Sequence, residues 1–115
     1  MIDFACKRFE IEDVIKCSLS LSKSEYRLLK FFLTHSEREF STEQLAKELK
    51  LDKSTIQRGV KKLHSKELLF RIQLNQSVGG YLFKYKIKNK EKIRLRILEI
   101  IDGWILRVKQ EIKKW

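Results

Sequence analysis

Residues 51–63 read LDKSTIQRGVKKL. At about 100° per residue, Ile56, Val60 and Leu63 fall within roughly 60° of one another on a helix. Ser54, Arg58, Lys61 and Ser65 gather on the opposite side. One face asks for a core, and the other offers positive charge and hydrogen-bonding groups. The pattern predicts a helix over 53–66, with Asp52 in position to cap it. Gly59 falls in mid-helix, where glycine costs about 1 kcal/mol relative to alanine. Close packing against the preceding helix would account for it.

Working upstream, FSTEQLAKEL (40–49) carries a capping-box pattern in Ser41 and Gln44, followed by Leu45, Ala46 and Leu49 at helical spacing. Two short helices separated by so few residues form a helix-turn-helix, with Ala46 small enough for close approach. A second capping box, Ser22 with Glu25, opens a helix that turns Tyr26, Leu28, Leu29, Phe32 and Leu33 inward and ends near His35. Before it, Phe9, Ile11, Val14 and Ile15 repeat with helical rhythm, so residues 1–21 are expected to be an N-terminal helical segment.

Downstream the period changes from helical to alternating. LLFRIQL (68–74) and YLFKYKIK (81–88) alternate apolar with polar residues and are rich in aromatic and β-branched types, as strands are. NQSVGG between them supplies residues that tolerate positive φ. This is a hairpin, with Tyr81, Phe83 and Tyr85 expected on its core face and Lys84, Lys86 and Lys88 on the other. The final segment, 90–115, is expected to be one long helix. Leu98, Ile101, Ile105, Val108, Ile112 and Trp115 step by three and four, as in a coiled-coil seam. Ile93, Ile97, Ile100 and Trp104 widen that face. One small domain cannot cover so much apolar surface, so a partner helix is expected to do so.

A chain of 115 residues is one domain's worth. The expected layout is an N-terminal helix (1–21), a winged helix-turn-helix (22–88) and a dimerisation helix (89–115), all within one compact domain. No apolar run reaches the ~20 residues that span a bilayer, and the first ten residues lack a signal-peptide layout. An intracellular, cytoplasmic protein without membrane association is expected. Cys6 and Cys17 are too few for a disulfide framework and match no common zinc spacing. They are read as buried or half-buried thiols; no metal or cofactor is assigned, and redox sensing by the pair is left open.

The net charge of +11 is unevenly placed. Residues 1–52 hold nine Lys/Arg and ten Asp/Glu, whereas residues 53–96 hold thirteen basic residues against only Glu67 and Glu91. The excess therefore sits in the helix-turn-helix and hairpin region. Such a segment repels itself unless a polyanion neutralises it.

The succession STEQLAKEL, DKSTIQRGVKKL, KELL and NQSVGGYLFKYK resembles the winged helix-turn-helix transcription regulators, nearest to small archaeal proteins of the TrmB and MarR-like kind. The resemblance is good over residues 20–88. It implies an α+β, mostly α fold with a β-hairpin wing, and a homodimer on double-stranded DNA; no small-molecule effector is assigned. The residues themselves point the same way, because a helix in the major groove must present donors and short polar groups. Gln57 and Arg58 are expected at base edges. Lys53, Ser54 and Thr55 stand at the helix start, where a phosphate is favoured; Lys61 and Lys62 face phosphates. The wing would contribute Gln76 and Ser77 at its tip and Arg71, Lys84 and Lys86 on its flanks, along the backbone or in the minor groove. Leu98, Ile101, Trp104, Ile105, Val108, Ile112 and Trp115 would form the dimer contact.

No glycine-rich phosphate loop, activated nucleophile or paired carboxylates in an evident pocket mark an enzyme. Two further readings are compatible with the same pattern: a winged-helix module that docks an acidic partner in the transcription machinery, and an architectural binder that coats DNA with little base preference.

Overall fold

The computed structural model of the chain describes residues 1–76 and 79–115. The first nine residues are not helical. Strand β1 (Ile2–Phe4) pairs antiparallel with β2 (Lys7–Phe9), with Ile2 opposite Phe9, and Ala5 turns the corner at φ 50°. Only at Ile11 does helix α1 begin, running to Leu19. Phe9 thus belongs to a strand, and the helical segment expected over residues 1–21 is corrected to a hairpin followed by a helix that starts at Ile11. Cys6, in the hairpin corner, and Cys17, on α1, are both exposed rather than buried.

Ser20, in the left-handed conformation, ends α1 and turns the chain into α2 (Lys23–Thr34). Both capping boxes form. The Ser22 hydroxyl accepts from the Glu25 N–H while Glu25 Oε1 accepts from the Ser22 N–H, and Ser41 and Gln44 do the same for α3 (Thr42–Leu49). Each reciprocal pair satisfies two donors that a helix start otherwise leaves open. Lys50 takes a left-handed φ of 55°, the Leu51 N–H returns to the Ala46 carbonyl, and α4 follows over Lys53–Ser65. Arg27 on α2 donates to the Leu49 carbonyl at 3.0 Å, closing one of the open carbonyls at the end of α3.

The hairpin forms as strands β4 (Leu69–Asn75) and β5 (Tyr81–Ile87), joined through Gly79 and Gly80 at φ 90° and 84°. A two-residue strand, β3 (Phe40–Ser41), adds to the other edge of β5, so the sheet order is β3-β5-β4. Two residues carry no alternation, which is why the sequence alone did not announce β3. Its place in the sheet holds Phe40 in the core, edge-on to Phe32.

Leu28, Leu29 and Phe32 of α2, Leu45 of α3 and Ile56, Val60 and Leu63 of α4 close over Leu68, Leu69, Tyr85 and Ile87. The aromatic row of β5 enters this core by degrees. Tyr85 is buried and Phe83 half-buried, but Tyr81, near the tip, is exposed, since the hairpin extends past the helices that could cover it. Gly59 sits against α2 rather than against the preceding α3. A Cβ there would lie 2.8 Å from Leu28 Cδ2.

Helix α5 (Lys90–Lys113) starts at the wing base, capped by Asn89, whose side chain accepts from the Lys92 N–H at 2.9 Å. Ile93 is buried, and Ile97 and Ile100 pack against the core; beyond them the helix leaves the body. The molecule measures 63 × 25 × 25 Å with a radius of gyration of 17.1 Å. A compact chain of this length would have about 13 Å. The elongation has a simple source: among the described residues, none covers the second half of α5, which is exposed from Trp104 to Trp115. The result is a mostly helical winged helix with a long C-terminal helix.

Candidate nucleic-acid interface

Helix α4 divides as its periodicity predicts. Ile56, Val60 and Leu63 are each at most 2% exposed, whereas Ser54, Gln57, Arg58 and Lys61 are exposed. Burial of three aliphatic side chains, at about 1.5–3 kcal/mol each, fixes the rotation of the helix about its axis. That rotation in turn presents Gln57, Arg58 and Lys61 outward. Among the described residues, Arg58 and Lys61 make no ion pair within 4.0 Å.

The start of α4 is arranged differently from the sequence expectation. Asp52 occupies the N-cap with extended backbone, but its carboxylate accepts no backbone N–H of the helix. It accepts instead from the Thr55 hydroxyl at 2.5 Å and the Ser54 hydroxyl at 2.7 Å. These two hydrogen bonds, Thr55 first, hold the Asp52 carboxyl below its ordinary range, and the nearby Arg58 charge adds to the effect. A carboxylate at this point opposes the phosphate expected at the helix start. Lys53 leans away to Glu43 on α3, at 3.4 Å.

Lys62 is also placed otherwise than expected. Its ammonium donates to the Ser20 carbonyl and to Glu25 Oε1, the latter at 3.1 Å, so it ties α4 to the α1–α2 turn. Burial pushes the Glu25 carboxyl up. The Ser22 N–H, the Lys62 ammonium and the Ser22 hydroxyl outweigh that and hold it below the usual carboxylate range. The cation expected to face phosphate is thus engaged within the protein, as a tie between helices.

On the wing, Arg71 lies opposite Tyr85, and its guanidinium covers the Phe83 ring at 4.8 Å. Lys84 and Lys86 project from the other face of β5, opposite Ile72 and Phe70. Gln76 is exposed; Ser77 lies outside the described residues. Arg71 and the two lysines thus occupy opposite faces of one hairpin, and a single flat surface does not contain all three. Lys86, Lys88, Lys90 and Lys92 gather around a cleft of about 370 Å³ between the end of α2, the wing base and the start of α5. Lys90 and Lys92 stand in the first turn of α5, where the helix dipole disfavours cations. That mismatch is legible in the sequence once Asn89 is taken as the cap.

Of the seam on α5, Ile101 is half-buried, while Leu98, Trp104, Ile105, Val108, Ile112 and Trp115 remain exposed on the described chain. Among the described residues no helix is long and apolar enough to cross a membrane.

The model of the DnaD N-terminal domain family matches residues 9–106. Among curated proteins, "Uncharacterized protein MJ1082" of Methanocaldococcus jannaschii is 29% identical over 109 residues, covering 95% of this chain and 85% of that one. Among solved structures, a protein of Methanosarcina mazei Go1 described as a possible transcriptional regulator superposes with a TM-score of 0.94 at 52% identity. The match covers all of this chain and 96% of the other. The ST1889 protein of Sulfolobus tokodaii superposes with a TM-score of 0.68 at 24% identity over 84% of this chain and 93% of its own, a likeness of fold.

Proposed function

We propose that this chain, which belongs to the DnaD N-terminal domain family, is a double-stranded-DNA-binding transcription regulator of the small archaeal TrmB- or MarR-like kind. It acts in the cytoplasm as a homodimer. Helix α4 enters the major groove and the wing follows the backbone or the minor groove. The observation that carries this reading is the outward face of α4: Gln57, Arg58 and Lys61 are exposed on a helix whose opposite face is locked into the core. Gln pairs with adenine and Arg with guanine at major-groove edges, and lysine neutralises phosphate. The description of the Methanosarcina mazei relative supports the same reading.

The exposed apolar residues of α5 are the surface on which a second copy would pack. Two α4 helices related by a two-fold axis would then meet successive major grooves about 34 Å apart on a palindromic site. The test is selection of bound fragments from random duplex DNA, followed by salt titration of the selected site. Arg58→Ala should cost about 1–3 kcal/mol at one base position, and Lys61→Ala should lower the salt slope by about one. A protein that retains no duplex at low salt overturns DNA binding and favours docking of an acidic protein partner, whereas a base preference that survives Arg58→Ala overturns α4 as the reading helix.

A further inference from the structure

The start of α4 has a hydrogen-bonding polarity that the reading above leaves unused. Asp52 is exposed, and its two carboxylate oxygens each take a hydroxyl proton from the same helix, Oδ1 from Thr55 and Oδ2 from Ser54. A hydroxyl has one proton to donate and two lone pairs to offer. With both protons directed at Asp52, Ser54 and Thr55 present only acceptors outward, beside a carboxylate that is itself only an acceptor. The depressed Asp52 carboxyl keeps this arrangement ionised across the neutral range.

We infer that Asp52 is a specificity-determining residue of the DNA interface: it turns the leading edge of α4 into an acceptor-only tip that rejects phosphate and selects a base bearing an exocyclic amino group. The inference rests on the reading that α4 lies in the major groove. There, cytosine N4 and adenine N6 are the amino donors, while guanine and thymine offer acceptors at the corresponding edge. Acceptors facing acceptors are left unpaired on burial, and that penalty falls on the wrong base. Arg58, one turn and a half along, has the opposite polarity and suits guanine. The two residues together predict a site in which an amino-bearing base and a guanine are read by one helix. Lys53 does not neutralise the tip, because its ammonium is drawn to Glu43. Lys61 lies about two and a half turns beyond Asp52, so its phosphate contact is well removed from the acceptor-only tip.

The deciding experiment compares wild type, Asp52→Asn, a Ser54→Ala/Thr55→Val double variant and Arg58→Ala on DNA selected by the wild type and on random duplex. Asparagine is an equally good N-cap, and circular dichroism checks that each variant is folded. Asp52→Asn should bind random duplex several-fold more tightly, because a repelled phosphate is now admitted. It should also lose about tenfold in discrimination at one position of the selected site, the size of one base contact. The double variant, which keeps the carboxylate, should lose discrimination at that position without the gain on random duplex. If Asp52→Asn leaves both quantities unchanged while Arg58→Ala alters base preference, the role of Asp52 is overturned and the placement of α4 stands. If Arg58→Ala also changes nothing, or no duplex is bound, the placement of α4 and the role of Asp52 fail together.

Discussion

The Lys62 ammonium on α4 lies 3.1 Å from Glu25 Oε1 at the start of α2, and the same ammonium donates to the Ser20 carbonyl that ends α1. Three helices therefore meet at one cation. The side chains of Lys62 and Glu25 are 33% and 17% exposed, which places the pair between a solvated ion pair and a buried one. Solvated pairs contribute at most about 1 kcal/mol, whereas breaking a buried pair costs about 3–5 kcal/mol.

Lys62→Ala is accordingly expected to destabilise the protein by about 1–2 kcal/mol, read as a shift in the urea midpoint at unchanged slope. The salt dependence of DNA binding should be unchanged in the same variant. A loss of one unit in the salt slope without loss of stability would return Lys62 to the phosphate contacts.

Glu25 makes acid stability depend on this tie. Its carboxyl is held below the ordinary value in the folded chain, so its stabilising contribution is complete above the unfolded carboxyl pKa. That contribution is lost as pH falls through the depressed folded value. The stability difference between wild type and Glu25→Gln should be constant from neutral pH to about 5 and shrink below about 4. A difference that grows on acidification would mean that burial of the carboxyl prevails over its partners.

Gly59→Ala sets two effects against each other. Alanine gains about 1 kcal/mol of helix propensity, while its Cβ would meet Leu28 Cδ2 at 2.8 Å in a core where Leu28 is 1% exposed. Overpacking costs about 1–3 kcal/mol, so a net destabilisation of about 1 kcal/mol is expected. In a Leu28→Ala background the same substitution should become neutral or stabilising. Additive effects in this double-mutant cycle would show that the close approach is relieved elsewhere.

On α5, Ile105 and Val108 are 40% and 37% exposed and flanked by exposed Trp104 and Ile112. Wild type is expected to sediment as a dimer at micromolar concentration and an Ile105→Glu/Val108→Glu variant as a monomer, with the body of the fold unchanged by circular dichroism. A dimer that survives both charges would place the interface elsewhere.

How far the fold was legible follows from the range of the signals. Capping boxes act over three residues and helical or alternating burial over four to eight, so α2, α3, α4, the wing hairpin and α5 could be read locally. Strand β3 could not, because two residues have no period and Phe40 becomes a strand residue only when β5 lies beside it. The β1–β2 hairpin escaped because its strands have only three residues each, too few for alternation to register, and Phe9, two residues before Ile11, lies about 160° from it on a helix and so never shared the face of Ile11, Val14 and Ile15.

For the candidate site, sequence by itself determined the exposed face of α4, since burying Ile56, Val60 and Leu63 leaves Gln57, Arg58 and Lys61 only one direction to point. It also determined that the excess charge belongs to the middle of the chain. Only the tertiary structure decided which of those cations remain available. Lys62 meets a carboxylate 37 positions away and Lys53 one 10 positions away, and Ser54 and Thr55 turn their protons to Asp52. A helical period specifies the direction of a side chain, but the partner at the end of that direction is supplied by other segments that folding brings alongside.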